Sequence, residues 1–182
     1  MVLKRSIEKE MNKLGYKGYH LQRELPRGSS EMELESKAQS QSDSIFYKSD
    51  RIEVIEKEEI RINEQAKDKM FESALGPLKS EFRASLVSHF DALIALHCRL
   101  KHKWDFVAAT THLYWDPRFP EVKAAQAFLL SHSLFHVITY KWNLDSGSIP
   151  LVVGLDANSL PFKDQQDKYH PILPKGVCFF II

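Results

Sequence analysis

The sequence predicts a mixed α/β (α+β) chain in which short strands are interleaved with helices. Two apolar strand-like runs, at 92–100 and 105–110, are separated by a polar turn and followed by a long helical pattern at 120–140. Strands interleaved with helices favour an α/β fold. Hairpin signals at 43–60 and 92–110 argue against a purely parallel sheet. We therefore expect antiparallel pairs in the fold.

Size and composition indicate one globular domain spanning residues 1–182. A chain of 182 residues is about one domain long, and 43% hydrophobic with 27% charged residues is ordinary for a soluble protein. The net charge of +1 gives no overall basic field for nucleic acid, although a local groove would suffice. No run approaches the ~20 apolar residues of a membrane span, and no signal-peptide core follows Met1. We expect a cytoplasmic and/or nuclear protein without membrane contact.

The two cysteines, Cys98 and Cys178, lie far apart in the sequence and form no CxxC pair. Cys98 stands inside an apolar run. This position favours a buried free thiol over a disulfide or a metal ligand.

The N-terminal part predicts a helix, a strand and a loop. Residues 6–14 have the spacing of a short amphipathic helix, with Ser6 as its cap and Gly15 at its end. Residues 16–21 alternate enough to form a strand. Residues 26–42 contain Gly, Ser, Glu and Gln with few apolar residues, so we expect an exposed flexible loop.

Residues 43–47 and 52–60 predict two strands joined by a turn at 48–51. Because they are adjacent and the second carries charged alternates, we expect them to pair as a hairpin with one solvated face. The charge run at 56–59 is interpreted as a solvated edge rather than a metal cluster.

The helix at 120–140 is the strongest helical prediction in the chain. Pro120 suits the first helical position, and Glu121 favours the N-terminal end of the dipole. Its wide apolar surface implies packing against a sheet. Two adjoining stripes make up that surface: Val122, Ala125 and Leu129, and Ala124, Phe128, Phe135 and Ile138.

Four histidines are candidate metal ligands, but the sequence favours other roles for them. His132 and His136 lie one helical turn apart, but no Glu stands beside them as it does in HExxH. His97 is interpreted as a core histidine and His102 as a surface histidine, since neither has a second ligand at useful spacing.

Two strand ends carry the polar residues that could perform chemistry. In an extended stretch, Asp156 and Asn158 at i and i+2 point the same way. Asp156 could accept a proton from water or bind a hard cation, and Asn158 could orient phosphate or metal. His112, at the end of the earlier strand, could as imidazolium neutralise phosphate charge.

Trp115 and Pro117 follow His112 and offer flat apolar surfaces against which a base could lie. Structural explanations remain open at this point. A DxN pattern is common in turns, because Asp and Asn bond their own backbone. A lone His after a strand, or a Tyr-Trp corner, is often structural.

The residue patterns of these stretches resemble motifs of the endonuclease/exonuclease/phosphatase superfamily. Within it, they resemble the deadenylase-like branch: carbon-catabolite-repressor deadenylases, nocturnin, angel and the 2′,5′-phosphodiesterase. THLYWDP at 111–117, followed by EVKAAQ at 121–126, is similar to the branch's THxxWDP…DVKxxQ. VVGLDANSLP at 152–161 is similar to its GDxNSxP. LGYKGY at 14–19 and DSIFYK at 43–48 resemble its "GY.G" and "AIFFK" strands.

The resemblance implies a two-sheet β-sandwich flanked by helices and a Mg²⁺-dependent 3′–5′ exoribonuclease that releases 5′-nucleotides from an RNA 3′ end, often poly(A). Asp156 would match the catalytic aspartate that activates water or holds metal, and Asn158 its partner. His112 would match a phosphate-contacting histidine. Pro117 would match a residue that stacks on the bound base, with Trp115 beside it.

The sequence also departs from the family pattern. Leu155 stands where the family has Gly, and Thr110 where it often has Asn. The metal-binding Glu and the C-terminal Ser-Asp-His have no counterpart, His170 is a poor replacement, and 162–182 is a divergent tail. We therefore expect a partial domain, truncated at both ends, with little activity.

The alternatives are a non-catalytic relative that binds RNA or a protein partner, and a superfamily phosphatase or phosphodiesterase that acts on a small molecule.

Overall fold

The computed structural model describes residues 2–22, 42–62, 92–101, 103–114 and 120–159. The expected loop at 26–42, apart from Ser42, and the tail at 162–182 lie outside this part of the chain. The elements, in chain order, are α1 (Val2–Lys13), β1 (Tyr16–Gln22), β2 (Ser42–Lys48), β3 (Ile52–Arg61), β4 (Ala92–Leu100), β5 (Asp105–His112), α2 (Pro120–His136), a π-helical turn (Val137–Lys141) and β6 (Leu151–Asp156).

The strands form two sheets. β1 and β2 pair antiparallel, and the second sheet has the order β3-β4-β5-β6. Its first three strands are antiparallel, whereas β5 and β6 are parallel. Parallel strands need a crossover connection, which α2 provides. The expected two-sheet α+β sandwich with flanking helices is confirmed.

β4 lies between two hydrophobic cores, because its side chains alternate across the sheet. Leu93 and Ala95 pack with the helical segment that contains Leu130 and Ile138. On the opposite face, Ile94, Leu96 and Cys98 pack with the sheet of β1 and β2, through Leu21, Tyr19 and Ile45. A strand buried on both faces reads as a continuous apolar run, as β4 does.

The expected hairpin between residues 43–47 and 52–60 is wrong. β2 pairs with β1, and β3 pairs with β4 in the other sheet. The turn closes with a bond from Arg51 N to Lys48 O of 3.0 Å, and it carries the chain from one layer to the other. Both strands thereby place apolar side chains, such as Ile45 and Val54, in one inter-sheet core. Burial in that core outweighs local pairing.

Two helix predictions need correction. α1 begins at Val2 rather than at Ser6, in keeping with the good helix formers Leu3, Lys4 and Arg5. In α2 the inward stripe is confirmed, but Phe128 and Phe135 are 39% and 48% exposed on the outer face. Gln126, Ser133 and Leu134 occupy the buried surface instead.

His97 is a buried core histidine, as expected, and the structure also places His132 and His136. His97 is 5% exposed, and its Nε2 lies 3.1 Å from Asp105 Oδ2. His132 and His136 are exposed, and their rings pack against Phe128 and Tyr140. The described residues contain no group of three His, Cys, Asp or Glu side chains placed to hold a metal ion.

Cys98 is a buried free thiol, as expected. It is 2% exposed, and burial raises its pKa to about 11. The run at 56–59 lies mostly exposed on β3, at the edge of its sheet, with Glu58 paired to Lys141. No helix in the described ranges is long and apolar enough to cross a membrane.

Candidate functional site

His112 and Asp156 end neighbouring strands and lie opposite each other. β5 and β6 are parallel with His112 in register with Asp156, so both carboxyl ends meet at one edge of the sheet. Leu113 N donates to Asp156 O at 2.9 Å and extends this pairing by one step. His112 Nε2 lies 3.8 Å from Asp156 Oδ2. That distance is too long for a hydrogen bond but suits an ion pair with a protonated imidazole.

Both side chains are open to a ligand. The His112 side chain is 35% exposed and that of Asp156 is 64% exposed. An imidazole and a carboxylate in such a position can together hold a phosphate oxygen and a water molecule.

Asn158 joins this pair through a turn, not through an extended strand. β6 ends at Asp156, and Asn158 has φ 47°, in the left-handed region. Asp156 Oδ1 accepts the Asn158 N–H at 2.9 Å, which is the backbone-mimicking turn that Asp favours. The extended geometry expected to align the Asp156 and Asn158 side chains is therefore absent, and a turn places Asn158 beside Asp156 instead.

The Asn158 side chain is anchored to the other strand end. Its Nδ2 donates to Leu113 O at 2.8 Å, one residue beyond His112. Since the amide nitrogen is committed to Leu113, the carboxamide oxygen is the atom that can ligate a cation or accept from a substrate. This bond ties together the loops that follow β5 and β6.

Helix α2 holds both of these loops, and the sequence reasoning did not assign this function to it. Lys123 Nζ donates to Asn158 O at 2.8 Å. Tyr114 N donates to Gln126 Oε1 at 2.8 Å, and the Gln126 side chain is almost fully buried. The sequence does contain a signal for this role. Lys123 and Gln126 are polar residues three positions apart in an otherwise apolar helical pattern.

The end of β5, next to the site, is also held by a side-chain hydrogen bond to β4. Thr111 Oγ1 donates to Ala92 O at 2.8 Å, and Thr111 is buried. This bond links β5 to the beginning of β4 next to His112. The predicted base-stacking residues, Trp115 and Pro117, lie outside the described residues, and their role stays a prediction.

The donors at the site suit a hard cation in kind. Mg²⁺ is bound in proteins through one or two carboxylates together with waters and substrate phosphates. Asp156 provides one carboxylate, and Asn158 provides a neutral oxygen. Because one carboxylate gives little charge, this donor set fits a weakly bound Mg²⁺ that a substrate phosphate helps to hold.

No family model matches the sequence. Solved structures do match the fold. The catalytic domain of human nocturnin, in a structure with bound sulfate, aligns with a TM-score of 0.60 at 18% identity, over 86% of this chain and 47% of that catalytic-domain chain. ANGEL2, a 2′,3′-cyclic phosphatase, aligns with a TM-score of 0.57 at 20% identity, over 85% of this chain and 35% of ANGEL2.

A bacterial protein matches to a similar extent. The endonuclease/exonuclease/phosphatase from Bacteroides vulgatus aligns with a TM-score of 0.52 at 16% identity, over 84% of this chain and 49% of that chain. The chain thus spans about half the length, or less, of the proteins it matches. It shares the fold of these proteins over that share of their length, as the sequence resemblance implied.

Proposed function

We propose that the site of His112, Asp156 and Asn158 binds the phosphate at an RNA 3′ end and takes part in hydrolysis of the phosphodiester bond to release 5′-nucleotides. The observation that carries this proposal is the pairing of an imidazole and a carboxylate 3.8 Å apart, at the meeting ends of parallel strands. The resemblance of 111–126 and 152–161 to the deadenylase-like branch supports the same reaction class.

Each of the three side chains has a distinct task in this proposal. Asp156 Oδ1 is engaged by the Asn158 N–H, so Oδ2 is the atom that accepts a proton from the attacking water. His112 donates from Nε2 to a phosphate oxygen, where negative charge grows in the transition state. The Asn158 carboxamide oxygen accepts a hydrogen bond from a water molecule, and this water donates to the phosphate and orients it.

Mg²⁺, when bound at Asp156, would neutralise phosphate charge and hold the substrate in place. Among the described residues, Asp156 is the carboxylate that stands beside His112 at this edge of the sheet. A single carboxylate gives weak metal retention, so we expect slow turnover that saturates only at high Mg²⁺ concentrations. A cytoplasmic or nuclear location, with RNA as partner, completes the proposal.

A 3′-terminal 2′,3′-cyclic phosphate is the second candidate substrate. It is favoured by the similarity to ANGEL2, which is a 2′,3′-cyclic phosphatase. Both candidates place a phosphate at the end of an RNA, so the same three side chains serve either reaction. Poly(A) remains the first choice because the Trp115–Pro117 corner resembles that of the deadenylase-like branch.

The test is a single-turnover assay with excess protein, using 5′-labelled oligo(A) with either a 3′-hydroxyl or a 2′,3′-cyclic phosphate end. We expect Mg²⁺-dependent shortening of the 3′-hydroxyl substrate. Asp156→Ala should lower the rate by about a hundredfold or more, since it removes the proton acceptor and the cation ligand.

Asp145→Ala is the matched control. Asp145 Oδ1 accepts Gly147 N–H at 3.0 Å in a turn of the same kind as that of Asp156, but on the loop before β6. Equal rates for wild type and Asp156→Ala would refute the catalytic proposal. RNA binding that survives Asp156→Ala and needs no metal would instead support a non-catalytic RNA-binding protein.

A further inference from the structure

We propose that Lys123 is a positioning residue that holds the Asp156–Asn158 turn in the conformation needed for phosphate chemistry. The consequence for catalysis rests on the proposed function. The conformational part of the inference is independent of it, because it concerns hydrogen bonds that exist without substrate.

Asn158 stands in a backbone conformation that needs support. Its φ of 47° lies in the left-handed region, which residues other than glycine populate sparsely. Such conformations persist where the surroundings hold them. Three polar groups of Asn158 are held here: its N–H by Asp156, its side chain by Leu113 and its carbonyl by Lys123.

The bond from Lys123 differs in origin from the other two. Asp156 and Leu113 lie at the two strand ends that form the site. Lys123 belongs to α2, whose neighbouring residues Val122 and Gln126 are 0% and 1% exposed, so that its backbone is fixed in the core. A hydrogen bond from an ammonium to a carbonyl is also stronger than one between neutral groups.

Helix α2 consequently makes hydrogen bonds to the segments that follow both β5 and β6. Gln126 fixes Tyr114, two residues after His112, and Lys123 fixes Asn158, two residues after Asp156. The separation between His112 and Asp156 is therefore set by a rigid helix in addition to the parallel register. Lys123 acts through Asn158 and touches no reacting atom in this proposal.

The experiment compares Lys123→Met, which keeps the apolar stem, with Lys123→Arg, which keeps a charged donor. The first readout is the amide chemical shift and hydrogen-exchange rate of Asn158 in the full chain without ligand. We expect Lys123→Met to speed exchange of the Asn158 amide by about tenfold, the effect of one lost hydrogen bond of this strength, and Lys123→Arg to restore most of the protection.

The second readout is the oligo(A) assay, in which Lys123→Met should lower kcat by about tenfold and leave KM nearly unchanged, because binding groups remain. Lys141→Met is the control, since Lys141 pairs with Glu58 on β3. It should change neither readout.

The outcomes separate this inference from the proposed function. If the wild type shows no turnover but Asn158 loses protection in Lys123→Met alone, the positioning holds and the proposed function fails. An Asn158 amide that is unchanged in Lys123→Met overturns the positioning. Equal loss of protection across the amides of β4 overturns it too, because the lysine would then be merely structural. Lost protection at Asn158 with full kcat overturns the catalytic consequence.

Discussion

Asp105 connects a buried histidine to a surface arginine. Its two carboxylate oxygens accept from Arg99 Nε at 2.7 Å and Nη2 at 2.9 Å, and Oδ2 also lies 3.1 Å from His97 Nε2. The hydrogen bond from Arg99, and secondarily that from His97, lowers the pKa of Asp105, against the opposing effect of burial. The His97 ring in turn packs against Trp142 in a tilted arrangement, with the ring centroids 5.8 Å apart, so the pair links the sheet to the end of the helical segment.

Arg99→Met should raise the pKa of Asp105 and weaken the fold at neutral pH. A carboxyl whose pKa is lowered in the folded state stabilises the fold above its unfolded pKa of about 3.9, and this contribution is lost as pH falls through the lower folded value. The difference in unfolding free energy between wild type and variant should therefore be present at pH 7 and shrink in acid.

Urea unfolding at a series of pH values measures this difference, and Arg51→Met, at an exposed arginine, serves as the control. A difference that is the same at neutral and acid pH would contradict the assignment. At this scale the sequence predicted that His97 is buried but not its partner. The partner depends on the cross-strand register of β4 and β5, which a single sequence does not specify.

Gly18 shows how closely the two strands of the first sheet, β1 and β2, are packed. A Cβ at Gly18 would lie 2.7 Å from Phe46 Cε1 and 2.9 Å from His20 Nε2. Nearby, His20 Nδ1 and Ser44 Oγ are 2.7 Å apart, and His20 and Phe46 meet edge to face. The absence of a side chain at Gly18 is therefore what lets these groups approach.

Gly18→Ala should destabilise the protein by about 1–3 kcal/mol, the usual cost of overpacking. Gly154→Ala is the matched control, because a Cβ there meets nothing within 4 Å. That substitution in a strand should be neutral or stabilising by a few tenths of a kcal/mol. Chemical denaturation measures both. A Gly18→Ala variant as stable as wild type would contradict the close packing, and Phe46→Leu should rescue part of its loss.

Most described elements could be predicted from the sequence, since the apolar runs of β4 and β5 and the long pattern of α2 are strong signals. Strand partners were harder. β2 and β3 looked like a hairpin because only local spacing was available, whereas burial against a distant sheet decided the pairing. The candidate site was predicted from the same strand ends, but the hydrogen bonds from Lys123 and Gln126 depend on where α2 packs, which the sequence alone does not give.

Cys98 lies in the core between the two sheets, so the accessibility of its thiol is a probe of whether the sheets separate. It packs with Ile94, Leu96 and Val54 and is 2% exposed. Its pKa of about 11 leaves little thiolate at neutral pH, so labelling in the folded state should be slow.

In a Cys178→Ser background, the labelling rate of Cys98 should rise with urea along the same slope as global unfolding, because exposure requires opening of the inter-sheet core. The comparison is between labelling kinetics and equilibrium denaturation by circular dichroism. Labelling that does not depend on denaturant would show that Cys98 is reached by a local fluctuation, contrary to this expectation.

The turn between β2 and β3 is a short covalent link between the two sheets at one end of the sandwich. It joins the two sheets by continuous backbone beside Tyr47 and Ile52, and Ile52 begins the strand whose Val54 lies opposite Cys98. The far end of the sandwich, around Leu21 and Ala92, has no such short link among the described segments. Thermal fluctuations that separate the two sheets should therefore begin at the end around Leu21 and Ala92. The Cys98 thiol, which lies near the turn, should be the last part of the core to become exposed to water.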